Sequence, residues 1–66
     1  MSVVKVIEIM AESSKSWEDA VENGIEKASS SVKEIRSANV QNQSVTVKDG
    51  KIDKYRVNLK LSFEVK

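Results

Sequence analysis

Neither cysteine nor histidine occurs anywhere in the 66 residues, and each absence removes a class of chemistry. Without cysteine there is no disulfide and no thiolate metal site. Without histidine the chain lacks the commonest transition-metal ligand and the usual general base near neutral pH. Ser–His and Cys–His nucleophilic arrangements are therefore impossible. The two glycines stand apart at Gly24 and Gly50, so there is no glycine-rich loop to cradle a phosphate. No carboxylate pair is marked out for acid–base work. The chain reads as a binding or structural module and not as an enzyme.

An excess of one charge is missing too. Eleven Lys and Arg stand against ten Asp and Glu, with the signs interspersed. No basic run is present to track a phosphate backbone, which argues against a nucleic-acid partner. Nor is there a long hydrophobic run. Met1 to Met10 is apolar, but Lys5 and Glu8 interrupt it, and it has neither a basic leader nor a small-residue cleavage site. The segment reads as a strand rather than a signal peptide or a membrane span. The compartment expected is the cytoplasm, which the lack of cysteine fits.

Size sets the next constraint. A domain of this length buries only about 60% of the surface its unfolded chain exposes. Disulfides, a structural metal or oligomerisation are the usual remedies, and the first is excluded here. Oligomerisation is the remedy left, so the chain is expected to work as a homo-oligomer.

What is present has a clear order. From Val3 to Met10 the β-branched residues predict a strand. Glu12-Ser13-Ser14-Lys15-Ser16 reads as a polar loop in which Ser16 is the helix N-cap and Asp19 resembles the return half of a capping box. Trp17, Ala20, Val21, Gly24, Ile25, Ala28, Val32 and Ile35 then recur as one apolar stripe. They predict a helix of roughly five turns, closed by the positive charges of Lys33 and Arg36. Gly24 within the stripe points to close packing of helix on sheet. Trp17 and Tyr55 share the apolar faces and read as core or interface anchors. Glu22, Glu26 and Lys27 belong to the solvent side of the helix.

After Arg36 the period becomes two. Its parity flips between Val40 and Val45, which predicts a bulge or bend there. Asp49-Gly50 is a hairpin signal. The last strand sets Tyr55, Val57, Leu59, Leu61, Phe63 and Val65 on one face, against Lys54, Arg56, Asn58, Lys60, Ser62 and Glu64 on the other. The expected fold class is α+β, with β-α-β-β order and a single domain over residues 1–66. Its three-stranded antiparallel sheet has strand order 1-3-2 and one helix packed on one face. The second strand lies at an edge, and no helix covers the polar face of the central strand; both point to subunit contacts.

Four segments carry a family resemblance: Val-Lys-Val-Ile-Glu-Ile; Ser-Trp-Glu-Asp-Ala-Val; Asp-Gly-Lys-Ile; and Tyr-Arg-Val-Asn-Leu-Lys-Leu-Ser-Phe-Glu-Val. In this order and in a chain of this length, from about Val3 to Val65, the sequence resembles the dodecins. The resemblance implies a homododecamer forming a hollow shell that stores or sequesters a flavin, riboflavin or FMN. It places a flavin-stacking tryptophan just after the helix and a ring-contacting glutamine early in the last strand. Those positions read Ser37 and Arg56 here. Asn42 falls where some members contact the ligand's sugar-like chain. Ser16-Trp17-Glu18 and Arg56 also resemble a subgroup that binds calcium, a cation requiring roughly six to eight oxygen ligands. Glu8, Glu34, Asp49 and Asp53 are available, though their spacing selects none of them. For Arg56 an interface salt bridge stands slightly ahead of a ligand contact. Three readings stay open: a flavin store, a calcium-binding assembly, and a structural shell without a ligand.

Overall fold

The computed structural model describes residues 3–65; of the domain expected over residues 1–66, Met1, Ser2 and Lys66 lie outside the described residues. Four elements follow in order: β1 (Val3–Ser13), α1 (Trp17–Ser29), β2 (Ile35–Lys48) and β3 (Lys51–Val65). The sheet is antiparallel with β3 in the centre, order β1-β3-β2, as the alternation predicts. β1 continues three residues past the expected end at Met10, because its alternation runs on through Glu12 into the pair Ser13 with Tyr55.

The helix starts where the caps say it should. The Ser16 hydroxyl accepts from the Asp19 backbone N–H at 3.0 Å, satisfying one of the orphan donors of the first turn. The Asp19 carboxylate, expected to close a capping box, serves the strand–helix turn by accepting from the Ser13 hydroxyl at 2.6 Å.

The helix ends earlier than the stripe suggests. α1 has 13 residues, between three and four turns, and not five. Ser29 and Ser30 donate their hydroxyls to the carbonyls of Ile25 and Lys27, each at 2.7 Å, while the N–H groups of Ser31 and Val32 both turn to the Ala28 carbonyl. A run of serines offers the backbone these local alternatives, and the helix does not propagate through it. Glu34 then takes φ 64 and redirects the chain, so Ile35 and Arg36 open β2. Lys33 and Arg36 do not close the helix; Lys27 is the basic residue of its last turn. Ile35 still packs against the core, from a strand instead of a helix.

The hairpin follows its signal. Asp49 at φ 53 and Gly50 at φ 74 form a two-residue turn with positive φ at both central positions, the geometry that matches strand twist. The register of β2 against β3 shifts between Val40 and Asn42, where the parity change predicts a bulge, and again at Ile35/Ser37 and Thr46/Val47.

The core lies between α1 and β3. Ala20, Val57, Leu59 and Leu61 are fully buried, with Ile7, Ile9, Ala11, Trp17 and Ile25 packed around them. Gly24 lets the helix down onto the sheet: a Cβ there would stand 3.1 Å from Ala11 Cβ and 3.1 Å from Leu59 Cδ1. Trp17 pins the helix start to the hairpin, its indole N–H donating to the Ser44 carbonyl at 2.9 Å and its ring meeting Tyr55 edge-on at 5.1 Å.

The molecule is long and thinly cored. Its radius of gyration is 13.5 Å and its extents are 51 × 19 × 14 Å, against about 11 Å expected of a compact domain this long. Its 4936 Å² of accessible surface exceeds the roughly 4,200 Å² of a compact monomer of this mass. Among the described residues eight large apolar side chains stay exposed: Val3, Val4, Val6, Met10, Val40, Val47, Ile52 and Val65. Such a shape suits a subunit better than a solitary domain.

Candidate functional site

The face of the sheet turned away from α1 carries the candidate residues. Along β3 it presents Lys54, Arg56, Asn58, Lys60, Ser62 and Glu64. Register adds Val4, Val6, Glu8, Met10 and Glu12 from β1 and Ser37, Asn39, Asn42, Ser44 and Thr46 from β2. Most of these side chains are exposed or half-buried, and no element of the chain packs over them.

Arg56 is committed within its own chain. Its Nε and Nη2 donate to Glu12 Oε2 at 2.8 and 2.6 Å, and Lys54 Nζ stands 4.0 Å from Oε1 of the same carboxylate. The hydrogen bonds from Arg56 hold the Glu12 carboxyl below its ordinary value of 4.5; partial desolvation opposes this, and the charges of Arg56 and Lys54 add to it. Arg56 therefore has a salt-bridge partner inside its own subunit. The reason is the longer β1, which brings Glu12 opposite Arg56. A loop reading of Glu12-Ser13-Ser14-Lys15-Ser16 misses this role of Glu12; the alternation Glu8, Met10, Glu12 is the signal that puts it on the open face, though not opposite Arg56.

The other two candidates take different surroundings. Ser37 is exposed, and its hydroxyl is hydrogen-bonded to that of Ser62, its partner across the β2–β3 ladder. Asn42 follows the first bulge and sits opposite Asn58. On β3, Asn58 is two residues from Arg56 and Ser62 is six, so at about 3.3 Å per residue Asn42 lies near Arg56 while Ser37 is about 20 Å away. One chain brings Asn42 and Arg56 together and leaves Ser37 apart. A site using all three needs a second copy.

The carboxylates considered for a metal are dispersed. Glu8 lies opposite Lys60, Glu34 is 3.7 Å from Arg36, Asp49 is in the hairpin turn, and Asp53 stands at the last bulge. Arg36 also donates to Glu64 at 3.1 Å. Among the described residues no three of His, Cys, Asp and Glu gather to hold a metal ion. A single subunit does not supply the oxygen shell that calcium requires.

Comparison with known proteins places this architecture. The Dodecin family model matches residues 3–66. The chain belongs to the dodecin family. It is 43% identical over 67 residues to the calcium dodecin of Mycobacterium tuberculosis, a match covering all of this chain and 93% of that one. Among solved structures it is similar to the calcium-chelating immunodominant antigen, calcium dodecin, of the same organism, which has a novel calcium-binding site. There the identity is 42% and the TM-score 0.87, over 98% of this chain and 93% of that one. The dodecin of Streptomyces coelicolor superposes with a TM-score of 0.95 at 25% identity, over 98% and 93% of the two chains. The dodecin fold with strand order 1-3-2 is thus shared across relatives of quite different sequence. Among the described residues, no helix is long and apolar enough to cross a membrane.

Proposed function

We propose that copies of this chain assemble into a homododecamer that binds and sequesters calcium at subunit contacts rather than storing stacked flavin. The observation that carries the choice is the fate of the two positions where the resemblance places flavin recognition. Ser37 offers a hydroxyl already joined to Ser62, and Arg56 spends its guanidinium on Glu12. Neither presents an aromatic surface. The 43% identity to a calcium dodecin points the same way.

Within one subunit the donors do not fit calcium, so the proposal requires a second copy to complete the shell. This chain's own contribution is the middle of the open face. Glu8 there enters no ion pair among the described residues, and the amide oxygens of Asn42 and Asn58 lie one ladder step further along. A carboxylate with neutral oxygens is a hard-donor set of the kind calcium accepts.

Titration calorimetry on the assembled protein, after removal of divalent ions, tests the reading. Calcium is expected to bind with a regular stoichiometry per assembly and to raise the melting temperature, because a ligand that binds only the native state stabilises it by about 2.7 kcal/mol at a hundred times its Kd. Heat and melting curves indifferent to calcium, with riboflavin or FMN producing the shift instead, would return the site to the flavin store.

A further inference from the structure

Each of the two glycines follows an asparagine or an aspartate, as Asn23-Gly24 and Asp49-Gly50. Such a pair has a chemistry of its own. The backbone nitrogen of the glycine attacks the side-chain carbonyl carbon of the residue before it, closing a five-membered succinimide. Glycine, with no Cβ, hinders that attack least. From aspartate, the bond formed joins the glycine nitrogen to Cγ, and the carboxyl hydroxyl leaves as water with the amide proton. Water then reopens the ring. Opening at the side-chain carbonyl restores aspartate; opening at the main-chain carbonyl leaves the chain running through Cβ and Cγ, which is isoaspartate. One water leaves and one enters, and no oxidant or co-reactant is required.

The fold gives the two pairs opposite fates. Asn23-Gly24 lies within α1, where Gly24 is buried. Helical pairing directs the Gly24 N–H at the carbonyl four residues back, away from the Asn23 side chain. The Asn23 amide meanwhile donates to Asp19 Oδ2 at 3.3 Å. Ring closure there requires the helix to open.

Asp49-Gly50 stands free. Both residues are exposed. Among the described residues the Asp49 carboxylate enters no ion pair and the Gly50 N–H no turn or loop hydrogen bond. Nothing lies within 4 Å of the place a Gly50 Cβ would take. The turn also holds Asp49 at φ 53 and Gly50 at φ 74. Turn types I′ and II′ share positive φ at the first central residue and differ by a flip of the peptide that follows it. Both fit a two-residue hairpin, and a succinimide holds that peptide on the II′ side. Gly50 accepts either sign of φ, so one peptide turns and the strands stay in place.

We infer that Asp49-Gly50 is a self-modification site, at which Asp49 converts through a succinimide to isoaspartate in the folded protein while Asn23-Gly24 stays intact. Conversion adds a methylene to the main chain of the turn and leaves the Asp49 α-carboxylate free at the hairpin tip. A two-residue turn matched to strand twist loses that match, and with it the direct pairing of Lys48 with Lys51. Neither step involves a second subunit or a bound ligand.

Heavy-oxygen labelling tests the site on the intact protein. The folded chain is held in mildly acidic heavy-oxygen water, returned to ordinary water and cut after glutamate, which isolates residues 35–64 and 23–26. Peptide 35–64 is expected to gain heavy oxygen and to split into two chromatographic forms, one of them resistant to cutting before Asp49. Peptide 23–26 should keep its mass until the protein is unfolded in urea. Asp49→Asn keeps a turn that asparagine favours and should convert severalfold faster than the wild type, read as deamidation of 35–64. A single unlabelled form of 35–64, from a protein whose excised peptide converts freely, would overturn the inference. Deamidation of Asn23 as fast in the folded protein as in urea would overturn the protection assigned to α1.

Discussion

Ser37 sits where the resemblance puts a stacking tryptophan, yet its exposed place on the open face leaves room for one. Stacking an aromatic pair contributes about 0.5–1.5 kcal/mol beyond the area it buries, and each 1.4 kcal/mol is about tenfold in affinity. Ser37→Trp is therefore expected to tighten riboflavin binding about tenfold or more, read by quenching of flavin fluorescence. No gain would show that Ser37 does not face the ligand. Glu12 supports a prediction of another kind. Its carboxyl titrates below its ordinary value, chiefly through the hydrogen bonds from Arg56, so the folded state favours the ionised form. The stabilisation is in place above the ordinary glutamate range and fades as pH falls through the lowered value. Wild type and Glu12→Gln should differ in melting temperature at pH 7 and converge at a pH below the lowered value. A gap of the same size at both would mean that the Arg56 contact does not depend on the charge.

Two glycines separate two physical roles at the level of elements. At Gly24 the helix meets the sheet so closely that an added Cβ lies 3.1 Å from Ala11 and Leu59. Gly24→Ala would gain about 1 kcal/mol of helix propensity and lose it again in displaced neighbours. Gly24→Val should destabilise by roughly 1–3 kcal/mol, the usual range for overpacking. At Gly50 nothing crowds the missing side chain, and the constraint is φ +74 alone. Gly50→Ala is expected to cost about 1–2 kcal/mol, measured by urea unfolding; a neutral result would mean that the turn changes type.

These elements also show what could be read in the sequence. The Asp49-Gly50 turn, the Ser16 cap, the bulge after Val40 and the apolar face of β3 are local signals, and each sits where the chain pattern puts it. The helix end misleads because Val32 and Ile35 keep helical spacing while Ser29, Ser30 and Ser31 draw the backbone away. The open face is harder still. That Glu12 meets Arg56 depends on pairing between residues 44 positions apart, which no periodicity encodes. A site shared between copies leaves no spacing in one chain at all.

For the whole molecule, the elongated shape and, among the described residues, four fully buried core residues and eight exposed large apolar side chains fit the proposed assembly, in which neighbours would supply the stability that one copy lacks. Among the described residues, no element of one copy packs over the open face. Native mass spectrometry, recorded without ligand, with calcium and with riboflavin, reads assembly and ligand in one experiment. A twelve-subunit mass that gains calcium in a regular number and ignores riboflavin is the predicted result. A twelve-subunit mass that takes up riboflavin and no calcium would contradict the proposed ligand, and a one-subunit mass would contradict the assembly itself.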